Sequence, residues 1–163
     1  MFKGKKILGT LAMDLQTGKR FGHVKNIIID VDDRRAQAVI LPGKRWFYPP
    51  VWIETGSLQR LGRDVLSVDS KSGIVSTKEI AGIKEELDKG IKKFWGMMVV
   101  TERGKLIGYL EDLFFMLPGG SIAGIELSRG FVGDILQGRG FVPVEQISTF
   151  SLDSVVVKTE ESS

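Results

Sequence analysis

Few side chains in this sequence have the type and spacing that chemistry needs. The only histidine, His23, follows Gly22 in a β-branched run and has no partner in reach of the sequence to orient it or to be activated by it, as a catalytic imidazole requires. It reads as an exposed or half-buried sheet residue. Asp30, Asp32 and Asp33 offer oxygens to a hard cation, yet the loop glycine and distal glutamate of a calcium loop are missing. Arg34-Arg35 also offset their charge, so the cluster reads as a solvated hairpin turn. Gly18 and Gly22 fit neither a Walker loop nor a dinucleotide fingerprint and read as tight-turn glycines with positive φ. The chain has no cysteine, which removes disulfides, thiolate metal sites and cysteine nucleophiles and suits a reducing cytosol. These residues give no catalytic site, no cofactor site and no metal site.

One segment is chemically richer. In Lys44-Arg45-Trp46-Phe47-Tyr48-Pro49-Pro50-Val51-Trp52, cations interleave with aromatic rings. Such a pattern stacks on bases or grips an acidic protein surface. Arg34 and Arg35, at the preceding hairpin, extend it into a single basic edge. The candidate partner surface is therefore Arg34, Arg35, Lys44, Arg45, Trp46, Tyr48 and Trp52. The competing reading is structural: a small barrel must fill its interior, and alternate aromatics of a strand point inward. Core packing is the expectation for most of these rings, with the outward ones left for a partner.

The elements that must position these residues come in two copies. Gly18-Lys19-Arg20-Phe21-Gly22-His23-Val24 is echoed 86 residues later by Gly104-Lys105-Leu106-Ile107-Gly108-Tyr109-Leu110. Val39 and Leu41 fall on Ile125 and Leu127 at the same offset. Pro50-Val51 and Pro143-Val144 follow, then the valine-rich runs 65–68 and 155–157. Two copies indicate two related small domains, not a solenoid, which needs at least three units. Short β-branched runs between turns, with 20 glycines, point to small, sharply curved antiparallel sheets. In the first copy a strand is expected over 21–31, a turn at 32–35, a strand over 36–41 and another at Trp46-Phe47-Tyr48. In the second, Gly130 to Gly140 reads as a loop. Between the copies, Ile80, Ile83, Leu87, Ile91 and Phe94 recur at helical spacing after a Ser76-Thr77-Lys78-Glu79 capping box. A helix over 77–93, docked by that stripe, is expected to join them. The domains are thus 1–75, a linker helix within 76–94, and 95–163 ending in a polar tail.

Composition bounds the rest. Of 163 residues 42% are hydrophobic and 26% charged, a globular balance. Domains this small bury only about 60% of their unfolded surface, so packing between the copies is expected. No apolar run approaches the roughly 20 residues of a membrane span, and no signal-peptide pattern opens the chain, so no membrane insertion and a cytoplasmic location are expected. The net charge of +3 hides an asymmetry: residues 1–75 carry 13 basic against 7 acidic side chains, and residues 95–163 carry 5 against 9. The halves either attract each other or leave a basic face for a partner.

Gly9, then 17–26, then Leu61-Gly62-Arg63-Asp64-Val65-Leu66-Ser67-Val68 resemble the opening, central and closing signatures of the PRC-barrel domain family. The second copy is similar at Gly96-Met97, at 104–112 and at Gly133-Asp134-Ile135-Leu136-Gln137-Gly138-Arg139. The resemblance implies a mainly β chain of two tandem small PRC-like β-barrels joined by a helix. It also implies a protein-binding or assembly module without catalysis, as in the cytoplasmic domain of the photosynthetic reaction-centre H subunit and the C-terminal domain of a small-subunit ribosome maturation factor. The matched positions are structural, so no functional residue carries over. The expected function is a non-enzymatic scaffold or adaptor binding a protein. The alternative is an RNA- or ribosome-associated factor that uses the basic first copy, and homo-oligomerisation stays open.

Overall fold

The structure, a computed structural model, describes residues 1–128 and 140–158. The expected glycine-rich loop, apart from Gly140, and the polar tail lie outside them. The first repeat runs β1 (Phe2–Lys3), α1 (Gly4–Ile7), β2 (Leu11–Met13), β3 (Arg20–His23), β4 (Asn26–Asp30), β5 (Arg35–Leu41), β6 (Val51–Glu54), β7 (Leu58–Leu61), β8 (Val65–Val68) and β9 (Ile74–Ser76). After a connection holding α2 (Ile83–Leu87), the second repeat gives β10 (Met98–Thr101), β11 (Leu106–Phe115), β12 (Ile122–Leu127), β13 (Phe141–Pro143), β14 (Ile147–Phe150) and β15 (Ser154–Val157). The chain is mainly β, in three sheets. Two have four strands, β3-β2-β8-β7 and β4-β5-β6-β9; the third orders β13-β12-β11-β10-β15-β14, with β1 beside β11. None closes on itself among the described residues.

Both repeats build their ladders alike. β2 runs parallel to β8 with Ala12 opposite Leu66, and β10 runs parallel to β15 with Val99 opposite Val155. Ala12 also faces Gly22 and Val99 faces Gly108, each with a bulge immediately after it. The repeats differ at Val24-Lys25, where the expected strand 21–31 divides into β3 and β4, which join different sheets. At the matching place β11 shifts register between Leu110 and Asp112 and continues.

The repeats hold each other by exchanging their leading segments. Phe2 and Lys3 pair with Phe115 and Phe114 of the second repeat. In return Gly90 bridges Ile28, and the Lys89 carbonyl accepts from the Ile29 N–H. Lys3 and Gly90 stand equally far ahead of two matching runs, Lys5-Lys6-Ile7-Leu8-Gly9 and Lys92-Lys93-Phe94-Trp95-Gly96, so one contact is made twice in opposite directions. A second reciprocal contact surrounds the pair Arg35–Ser121: the Ala36 N–H donates to the Gly120 carbonyl, and the Ile122 N–H to the Arg34 carbonyl. Equivalent residues meeting each other are the mark of an isologous two-fold interface, here inside one chain.

Arg34 and Gly120 occupy matching places on that axis, and both have positive φ, +50° and +77°. A Cβ at Gly120 would lie 2.9 Å from the Ala36 carbonyl oxygen and 3.1 Å from the Thr55 side chain, so only glycine fits. At the other place Arg34 has room and reaches across the interface. Its guanidinium donates to the carbonyls of Ile147 (2.8 Å), Ser148 (3.3 Å) and Val144 (3.4 Å). Buried Asp112 adds a further pin, accepting from the Lys5 N–H (2.9 Å), the Trp95 indole N–H (3.3 Å) and the Leu113 N–H (2.9 Å). Lys3 pairs with Glu126 of β12 at 2.5 Å, and that carboxylate raises the pKa of the Lys3 ammonium.

One core cluster accordingly runs through both repeats, from Ile27, Leu41, Ile53 and Leu66 to Leu110, Leu113, Phe115 and Ile125. A smaller cluster of Ile28, Ala38, Ile40 and Trp52 lies on the opposite face of the β4-β5-β6-β9 sheet, as the alternation of side chains along a strand requires. Ile80, Ile83 and Leu87 cover it.

The single joining helix expected over 77–93 is not formed. Two 3-10 turns, Thr77–Glu79 and Ile91–Lys93, flank the five residues of α2. Gly82 is left-handed at φ +70° and Gly90 is extended, and the two interrupt the helix where its propensity is lowest. The apolar stripe is docked nonetheless, in two directions: Ile80, Ile83 and Leu87 go to the smaller cluster, while Ile91 and Phe94 enter the main core.

Crowding at the two-fold axis predicts a sharp contrast between neighbouring glycines. Gly120→Ala should cost about 3 kcal/mol, from backbone strain plus collision with Ala36 and Thr55. Gly119→Ala, whose Cβ would meet nothing within 4 Å, should cost less, about 1–2 kcal/mol, from the strain of its φ of +103° alone. Denaturant unfolding of both variants measures the difference.

Candidate functional site

The chain leaves the β5–β6 ladder at Pro42 and returns to it at Val51. Prolines 42, 49 and 50 have no N–H to give a ladder, which is why the strand expected at Trp46-Phe47-Tyr48 is a loop instead. Its base is drawn tight at Gly43, where a Cβ would lie 2.5 Å from the Tyr48 carbonyl oxygen and 2.7 Å from that of Pro49. Within the loop the Tyr48 N–H donates to the Arg45 carbonyl at 2.9 Å.

This geometry turns the aromatic run outward. Trp46 is 95% exposed, Phe47 56% and Tyr48 52%. The rings stack on one another: Trp46 meets Phe47 edge-on with centroids 5.5 Å apart, and Phe47 tilts over Tyr48 at 4.9 Å. Lys44 and Arg45 are exposed, and among the described residues neither has an ion-pair partner. Beside the loop lies a cleft of about 350 Å³ lined by Gly43, Lys44, Tyr48, Pro49, Val51 and Ser76. The segment thus sets three large, at least half-exposed rings side by side, with the exposed cations Lys44 and Arg45 at their edge.

The other residues of the sequence-derived surface are occupied elsewhere. Arg34 is committed to the three carbonyls of the second repeat. Arg35 donates to the Thr55 hydroxyl (2.8 Å) and the Gly119 carbonyl (3.1 Å) at the same interface. Trp52 is 4% exposed and belongs to the smaller core cluster. The single basic edge imagined from the sequence is therefore divided. Lys44, Arg45, Trp46 and Tyr48, joined by Phe47, form one patch, while Arg34 and Arg35 join the repeats. β9 is not among the strands expected from the sequence, which places Ser76 only in a capping box. The short β-branched pair Ile74-Val75 was the available signal.

Elsewhere the polar groups serve the backbone. Asp30 accepts from the N–H groups of Asp32 (3.0 Å) and Asp33 (3.1 Å) and so shapes the hairpin turn. His23 is exposed on β3. Asp14 accepts from the Ser70 hydroxyl, from the N–H groups of Gln16 (2.8 Å) and Thr17 (3.2 Å), and from the Ser70 N–H (3.3 Å). The Ser70 hydroxyl first, and these N–H groups with it, hold the Asp14 carboxyl at about 2 against the opposing effect of desolvation. A second cleft, of about 620 Å³, opens near Leu15, Arg60 and Arg63. Among the described residues no group of three or more metal-ligating side chains converges.

The PRC-barrel domain model matches residues 1–82 and again 88–162. The chain belongs to the PRC-barrel family. No curated protein matches it. PRC-barrel domains are typically protein-interaction modules and are generally non-catalytic. The duplicated match fits the paired ladders, in which the bulge after Ala12, opposite Gly22, recurs after Val99, opposite Gly108. Among the described residues no helix is long and apolar enough to cross a membrane.

The Asp14 cluster gives a pH prediction. Its folded pKa lies below the value of about 4 of an unfolded aspartate, so its stabilisation is present above about pH 4 and lost as pH falls through about 2. The melting-temperature gap between wild type and Asp14→Asn should be wide at neutral pH and narrow between about pH 4 and pH 2. A gap constant with pH would contradict this.

Proposed function

We propose that the protein is a non-enzymatic adaptor whose two repeats are paired PRC-type barrels, and that it binds another protein through the loop carrying Lys44, Arg45, Trp46, Phe47 and Tyr48. The observation that carries this reading is the three-ring patch, held outward by prolines and flanked by cations that pair with no carboxylate among the described residues. Aromatic rings and arginine are the side chains that most often anchor protein interfaces. Family membership supports the same reading. The domain limits 1–75 and 95–163 and action in the cytosol belong to the proposal as well. Lack of cysteine favours the cytosol. The polar groups described above are spent on turns and on the repeat interface, and this supports a role without catalysis.

The test compares wild type with the double variant Arg45→Glu, Trp46→Ala. The variant should melt at the wild-type temperature, because the altered side chains lie on the surface. Affinity capture from the native cell should recover a protein with wild type and lose it with the variant. Identical capture by both sinks the loop as the docking site. A shift of single-stranded RNA that weakens steeply with salt, and that is lost in the variant, would replace the protein partner with nucleic acid.

A further inference from the structure

Among the described residues β9 is the last strand of its sheet, paired with β6 on one side only. The register shows which groups this leaves over. The Glu54 N–H donates to the Gly73 carbonyl and the Thr77 N–H to the Pro50 carbonyl. Alternation along an antiparallel ladder makes Trp52 and Val75 the bonded pair between them. The N–H and C=O groups of Ile74 and Ser76 then point out of the sheet edge. The 350 Å³ cleft reaches this edge at Ser76 and continues under Tyr48.

Edge strands are commonly blunted: in the second repeat's sheet β13 carries Pro143, and at the other end the β14 carbonyls of Ile147 and Ser148 accept from Arg34. β9, Ile74-Val75-Ser76, has neither proline nor charge. Three cations flank it, Lys44 lining the cleft, Arg45 next to it in the loop and Lys78 just after the strand, against the carboxylates of Glu79 and of Glu54 at the strand's far end. No carboxylate lines the cleft.

Resting on the docking loop proposed above, we propose that β9 takes an extended segment of the partner protein as an added strand. That segment has acidic side chains facing Lys44, Arg45 and Lys78 and an aromatic or aliphatic side chain filling the cleft. Main-chain bonds to Ile74 and Ser76 supply the attachment, and the cleft with its cations supplies the selectivity.

Ser76 gives an unusually clean test, because its φ of −67° and ψ of 138° are those a proline adopts. Ser76→Pro removes the outward N–H without asking the backbone to move. Ser76→Ala keeps that N–H and loses only the hydroxyl that caps Lys78. Random peptides displayed on phage are selected on the full-length chain, and the enriched peptides are synthesised and titrated. Enriched sequences should combine Asp or Glu with an aromatic or aliphatic residue. Ser76→Pro should weaken their binding roughly tenfold, and Ser76→Ala no more than about twofold. Hydrogen exchange at the Ile74 and Ser76 amides of wild type should slow when a peptide binds, a readout independent of how the proline variant folds. Wild-type binding by Ser76→Pro, unchanged exchange at both amides, or no enriched peptide each overturns strand addition. If Trp46→Ala abolishes binding while Ser76→Pro leaves it intact, the docking loop stands and strand addition alone falls.

Discussion

The structure depends on a reciprocal exchange of backbone between the two repeats. Phe2-Lys3 completes the second repeat's β11, while Lys89-Gly90 completes β4 of the first, and the Arg35–Ser121 pair sits where matching residues meet. Each repeat alone would leave a leading segment unpaired and an edge uncovered. A domain of this size has little stability to spare for that. The continuous core through Ile91 and Phe94 and the buried Asp112 follow from the same arrangement, since both lie where one repeat's leading segment enters the other. Arg34 shows how duplication relaxes symmetry: where the second repeat must keep Gly120, the first can hold a long side chain and use it as a clamp.

Much of the architecture was legible because duplication leaves a periodic signal. Gly22, expected in a tight turn, keeps its positive φ but lies in β3 opposite Ala12 at a bulge, the place Gly108 repeats opposite Val99. The exchange was not legible. Strand patterning says that a segment will pair, not which copy it will pair with. The echo between Lys5–Gly9 and Lys92–Gly96 also sits at an offset of 87, not 86, because the first repeat's turn from Asp14 to Lys19 is one residue longer than its counterpart from Thr101 to Lys105. The linker helix failed for a local reason, as Gly82 and Gly90 outweighed an apolar stripe that tertiary packing then satisfied in two separate pieces.

The candidate site was half legible. Residue types identified the segment around Trp46, but alternation assigned its rings to the core. Three prolines and the close approach at Gly43 override alternation by denying the segment a ladder. Trp52, two residues after Pro50, regains a partner strand and is buried as a core aromatic should be. The arginines of the preceding hairpin looked like surface because a Asp-Asp-Arg-Arg turn is polar, and only the two-fold contact shows what they hold. The aromatic loop takes no part in that exchange, and β9 keeps one edge unpaired among the described residues.

The central claim is that reciprocal exchange makes the two repeats one cooperative unit. Differential scanning calorimetry of the full-length chain tests it most directly. The account predicts a single transition whose calorimetric and van't Hoff enthalpies agree. Two separable transitions, one for each repeat, would contradict it.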